Sequence, residues 1–294
     1  RKFNPVSRIM RWERRWFIAG VLALWLCLPA ARGEAAAADY AALAERGLRV
    51  EAFAVSARNE RVRAVMAEPG PDALAAEPLL LFTIGGPERC MLPPWRSLTA
   101  PAEFFWEHGH RVVSFDMQGR MRSLARFCDR VIEDRPVEAF LERARAVLDA
   151  CVERGWAEPG RIVATGTSRY GYLALRLAAA DERVQYAGGF APVTDWRDLR
   201  EFSDQRGHDR VAALRLARYV DPLAGKRVFL AIGHQDRRVS TLSCLRFFLD
   251  LNAANREHGY GPEITDLFVT PDEGHRCGPE WYRRGLTRLL NAAL

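Results

Sequence analysis

The chain has 294 residues, 49% of them hydrophobic and 27% charged, which suits one large α/β domain or two small ones and is too apolar for a disordered segment. Its net charge of +6 does not point to nucleic acid, because seven basic and two acidic side chains fall within residues 1–38 and the remainder is close to neutral. The six cysteines show no C-x-x-C spacing and no accompanying histidine cluster, so no zinc site and no cofactor are expected.

In chain order, the first segment reads as an export signal. A positive stretch ends at Arg14-Arg15, an apolar run spans residues 16–30, and the small residues AARGEAAAA follow. The mature chain is expected to start between about Gly33 and Tyr40, which makes the protein periplasmic or secreted. The alternative is an uncleaved anchor over residues 16–30, although a membrane span takes about 20 residues. Cys27 lies in this segment; of the other five (Cys90, Cys128, Cys151, Cys244 and Cys277), an odd number leaves at least one unpaired within the chain.

From residue 48 the pattern alternates. LRVEAFAVSA (48–57) and RVRAVMAE (61–68), joined by Arg58-Asn59-Glu60, predict an antiparallel hairpin. LLLFTI (79–84) predicts a buried parallel strand, residues 101–108 a helix, and RVVSF (111–115) a strand. Residues 136–155 carry a helical apolar stripe between Pro136 and Gly155. Strand 161–165, helix 172–180 and strand 184–192 follow. Residues 195–218 read as an irregular, charged helical stretch, either a small cap or a solvated face. Strand 227–232, helix 241–259, strand 264–270 and helix 281–294 complete the series. This predicts one α/β domain over residues 39–294, a mostly parallel central sheet with an antiparallel N-terminal edge and helices on both faces.

Three loops carry candidate chemistry. Strand 161–165 runs through Gly166-Thr167-Ser168 directly into a helix, the setting for an exposed nucleophilic serine, although a serine there also serves as a helix N-cap. Asp236 follows strand 227–232, and His275 follows strand 264–270. Strand carboxyl ends share one edge of a parallel sheet, so these loops can converge with His275 as base and Asp236 as acid. Asp195 is a reserve acid that also suits an N-cap. The backbone N–H groups of Arg169 and of Gly85 or Gly86 are candidate oxyanion donors, since Pro87 has none. Arg89, Arg120, Arg169, Arg238 and Arg276 lie near the expected mouth, either to bind an anionic group or as ordinary polar loop residues.

The ordered segments FTIGGP, VVSFDMQGRMRS, GTSRYGYLAL, FAPVTDW, LAIGHQDRRV and DEGHR resemble the α/β-hydrolase superfamily, in its prolyl-oligopeptidase-like and dienelactone-hydrolase-like branches, over about residues 48–294. The resemblance implies a Ser168–Asp236–His275 triad, an oxyanion loop at Gly85-Gly86, and a cofactor-free serine hydrolase of an ester or related acyl bond. Alternatives are a short-peptide peptidase and a non-catalytic binding protein on this fold. The expected partner is a small-molecule ester or peptide, without nucleic acid, and a membrane only if the N-terminal segment is uncleaved. At this length a β-propeller is not expected beside the domain, which weakens an expectation of oligopeptidase activity. One position departs from the family: Tyr170 stands where glycine usually follows the nucleophile by two residues. Its ring is expected against Gly188 and Gly189. A Cys90–Cys128 disulfide is a further expectation.

Overall fold

The computed structural model describes residues 43–84, 100–115 and 124–293. The expected export signal, Gly85, Gly86, Arg89, Cys90 and Arg120 lie outside these residues, and with Cys90 the expected disulfide; Cys128 carries a buried free thiol.

Among the described residues, eight strands form one sheet in the order β1-β2-β4-β3-β5-β6-β7-β8. Strands β1 (Leu48–Ala57) and β2 (Glu60–Pro69) make the antiparallel hairpin. Its turn is two residues, Arg58 and Asn59, with φ of 51° and 60°, the left-handed pair that matches strand twist. Glu60 therefore pairs with Ala57 instead of belonging to the turn. Strand β2 runs antiparallel to β4 (Arg111–Phe115); β3 (Leu80–Ile84), β5 (Ile162–Thr167), β6 (Val184–Phe190), β7 (Arg227–Gly233) and β8 (Thr265–Thr270) complete a parallel array with β4. The fold is the expected α/β arrangement.

Helices cover both faces because the inner strands are apolar on both sides. Helix α1 is Ala100–Glu107, α2 Leu124–Glu133, α3 Pro136–Glu153, α4 Arg169–Ala180, α5 Thr241–Glu257 and α6 Pro279–Ala293. Phe105 of α1 and Leu286 and Leu289 of α6 join Leu81 and Phe229 in one core; Phe127, Phe140, Tyr172 and Phe247 join Phe82 and Leu230 in the other. Lys226, just before β7, donates from Nζ to the carbonyls of Ala178, Asp181 and Val184, at 2.5, 2.9 and 2.9 Å, and so ties down the C-terminal end of α4.

One helix escaped the sequence, and the irregular stretch resolves into turns. Helix α2 is unanticipated: Phe127, Cys128 and Val131 are buried, a narrow stripe on a segment whose other residues are mostly charged. Residues 195–218 do not form a regular helix. They break into short 3-10 turns (Trp196–Asp198, Arg200–Gln205, Leu216–Tyr219) and one α turn, Asp209–Ala213. The caps explain this. Asp195 and His208 each accept the backbone N–H two residues ahead, which restarts the chain instead of continuing a helix. Among the described residues no helix is long and apolar enough to cross a membrane.

Candidate active site

Ser168 joins β5 to α4 with φ 60° and ψ −124°. A non-glycine residue in this region is strained, and surrounding bonds must hold it there. Ser168 N–H donates to Phe190 O at 2.8 Å, and Ser168 O accepts from Val193 and Tyr172 N–H, both at 3.1 Å. The turn is tight enough that a Cβ on Gly166 would lie 2.4 Å from the Tyr170 carbonyl, so only glycine fits. The Ser168 side chain makes no capping bond to its helix; it points elsewhere.

It points to histidine. Ser168 Oγ lies 2.9 Å from His275 Nε2, and His275 Nδ1 lies 2.8 Å from Asp236 Oδ2. Asp236 is only 2% exposed. Its other oxygen, Oδ1, accepts the Arg238 and Val239 N–H groups at 2.8 and 3.1 Å, so the buried carboxylate is fully bonded. Thr241 supports the turn beneath it, donating from Oγ1 to Gly233 O at 2.6 Å and accepting Asp236 N–H at 3.0 Å. Asp195, the reserve acid, is occupied elsewhere. It caps the turn at Trp196–Asp198 and pairs with Arg197 and Arg215, at 2.6 and 3.0 Å.

A cavity of about 910 Å³ opens over Ser168, lined by Tyr170, Phe190, Leu199, Arg238, His275 and Tyr282 among others. The Tyr170 expectation fails in its details. A Cβ on Gly188 would meet Thr165 and Leu289, and one on Gly189 would meet Leu230 and Pro192; neither glycine makes room for Tyr170. The close approach at this turn belongs to Gly171, whose Cβ would sit 2.9 Å from Gly166 O and 3.1 Å from Pro192. The Tyr170 ring instead lines the cavity, where Arg169 stacks 4.8 Å from its centroid and donates to its hydroxyl at 2.8 Å. Of the arginines near the mouth, Arg169, Arg238 and Arg276 line the cavity. Arg238 is committed to a two-pronged pair with Glu201, whose carboxyl this guanidinium holds below the usual carboxylate range.

Two contacts and one residue escaped the sequence. Glu201 reaches Arg238 from 37 residues away, and Tyr282 OH lies 2.7 Å from Thr167 Oγ1 across 115 residues; no local pattern announces either. Asp272 stands inside the PDEGH loop, and its nearness to His275 was the available signal.

A strained serine on a strand-to-helix turn, bonded through histidine to a buried aspartate, is the site geometry of serine hydrolases. The family comparison agrees: the prolyl oligopeptidase family model, peptidase S9, matches residues 97–291. The chain belongs to the prolyl oligopeptidase family. Comparison with curated protein sequences gives no significant match. Solved structures show the shared fold. A protein described as a dipeptidyl aminopeptidase IV from Bacteroides ovatus superposes with TM-score 0.67 at 17% identity, over 84% of this chain and 36% of its own. A puromycin-hydrolyzing peptidase of Mycobacterium tuberculosis gives TM-score 0.59 at 18% identity, over 81% of this chain and 38% of its own. A cold-adapted esterase from an Arctic intertidal metagenomic library gives TM-score 0.58 at 19% identity, over 83% of this chain and 96% of its own. The chain thus spans little more than a third of the first two proteins.

Proposed function

We propose that this member of the prolyl oligopeptidase family is a serine hydrolase that cleaves a carboxylic ester or related acyl bond through an acyl-enzyme at Ser168. The observation that carries the reading is the unbroken chain from Ser168 Oγ through His275 to Asp236, with 2.9 and 2.8 Å links. His275 Nε2 takes the serine proton as Oγ attacks the acyl carbon. Asp236 accepts from Nδ1–H, which fixes the tautomer and offsets the imidazolium charge. The Arg169 N–H, in the first turn of α4, faces the developing oxyanion, where the helix N-terminus adds favourable field. Gly85 or Gly86 supplies the second donor in this reading. His275 then protonates the leaving group, and water repeats the sequence to release the acid.

Peptide-bond cleavage is the second reading, favoured by the family and by the two peptidases among the structures of like fold. A binding protein without catalysis is disfavoured, because Tyr170 leaves the hydrogen-bonded chain intact. A panel of short-chain p-nitrophenyl esters and dipeptide amides, with fluorophosphonate labelling, tests all three. Wild type should turn over esters and take the label, while Ser168→Ala and His275→Ala should each lose about 10⁴-fold in turnover. Activity within tenfold of wild type in either variant would remove the triad assignment. Faster cleavage of the amides would assign a peptidase.

A further inference from the structure

His275 must meet two partners at once, yet it sits on a loop, residues 271–278, between the end of β8 and the start of α6. Within the loop Gly274 has a φ of +71° and Arg276 N–H bonds Gly274 O at 3.1 Å. This makes a local kink that does not by itself place the imidazole.

We propose that Asp272 is a positioning residue that closes this loop and aims His275. A single carboxylate oxygen joins the two ends of the loop. Asp272 Oδ2 accepts from Thr270 Oγ1 at 2.9 Å, on the last residue of β8, and from Gly278 N–H at 3.3 Å, immediately before α6. The Asp272 N–H leans back on Thr270 Oγ1 at 3.4 Å. The closed loop then rests on the acid's own turn. His234 N–H donates to Thr270 O at 2.9 Å. Gly233 lies directly beneath, where a Cβ would come within 2.6 Å of Asp272 O and 3.0 Å of Gly274 O. The turn that holds Asp236 and the loop that holds His275 are therefore in backbone contact, and the clasp closes the loop on that support. Without it, the imidazole could still fold into the neighbourhood but would sample positions that lose one of its two partners. A misplacement on the order of 1 Å costs a reaction about 10²-fold.

The inference rests on the hydrolase reading for its kinetic consequence but not for its structural one, so the test reads both in the full chain. Asp272→Ala removes the clasp; Asp272→Asn keeps an oxygen that can accept both bonds. Turnover of a p-nitrophenyl ester and the downfield Nδ1 proton signal of His275, assigned by its loss in His275→Ala, are followed together with the thermal midpoint. Asp272→Ala should lower kcat by roughly 10- to 100-fold with KM within about threefold, and should broaden or remove the imidazole signal. Asp272→Asn should restore both to near wild type. A folded Asp272→Ala protein with wild-type kcat and an intact signal overturns the clasp. So does Asp272→Asn failing as fully as alanine, because charge and not closure would then be at work. If Asp272→Ala does not fold, Thr270→Val, which removes one arm, is expected to show the same two changes in weaker form, and an unchanged Thr270→Val overturns the proposal. A wild type without turnover, whose imidazole signal still depends on Asp272, refutes the hydrolase reading and upholds the clasp.

Discussion

Tyr170 stands two residues after Ser168, and its surroundings say what its side chain does. The ring is half-buried against the core and lines the cavity, with the Arg169 guanidinium over it. The arrangement gives Arg169 a role for each half of the residue: the backbone N–H for the oxyanion in the proposed mechanism, the guanidinium for the tyrosine. Because the ring is only partly buried, Tyr170→Gly should cost about 1–3 kcal/mol, from lost burial and the poor helix propensity of glycine. Its main effect should be on room. Truncation should raise kcat/KM for long-chain relative to acetyl p-nitrophenyl esters by about tenfold, in the range that one or two methylenes of pocket space confer, whereas Tyr170→Phe should keep the wild-type profile. An acyl-length profile that is the same in all three proteins would mean that the ring does not bound the acyl site.

At the scale of elements, the site is built from loops at one sheet edge, and that is why so much of it was legible. Strands such as 79–84 and 227–232 are apolar runs followed directly by glycine, so they could be read locally, and with them the loops that carry Ser168, Asp236 and His275. Helix α2 and the turns of residues 196–219 could not be read in this way. The first interleaves Arg126, Asp129, Arg130 and Glu133 with its apolar residues, and the second is shaped by caps and by pairs such as Glu201–Arg238 that only the folded chain brings together. The two candidate acids separate on the same ground. Burial alone would raise the Asp195 carboxyl, yet the bonds and charges of Arg197 and Arg215 hold it below the ordinary range; it is a structural anion with all its partners at hand. Asp236→Asn should therefore cost roughly 10²-fold or more in kcat with little loss of stability, and Asp195→Asn the reverse. Parallel kinetics and urea unfolding distinguish them, and a larger kcat defect in Asp195→Asn would transfer the acid's role to that position.

For the whole molecule, one acid-sensitive group lies at the opposite end of the sheet from the site. His110, 3% exposed, lies where β3 and β4 begin and accepts the Leu79 N–H on Nδ1 at 3.3 Å. That bond requires a neutral ring nitrogen. Burial, reinforced by the charges of His108 and Arg161, lowers its pKa from 6.5 to about 4. The folded pKa is depressed, so above the unfolded value of 6.5 neither state binds the proton and stability is undiminished. Between 6.5 and about 4 the unfolded chain takes up a proton that the folded chain refuses, and stability falls as the pH falls. At about 1.4 kcal/mol per unit the loss approaches roughly 3 kcal/mol by the lower end, a large share of the 5–15 kcal/mol typical of a domain. The carboxyls of Asp181 and Asp195, buried but held down by their arginines, withdraw their support only below the ordinary aspartate range, so the two effects occupy separate windows. His110→Gln can keep an acceptor for the Leu79 N–H and does not titrate. Urea midpoints measured near pH 7 and pH 4.5 should drop clearly for wild type and much less for His110→Gln. Equal drops in the two proteins would place the acid sensitivity elsewhere, since no other change separates them.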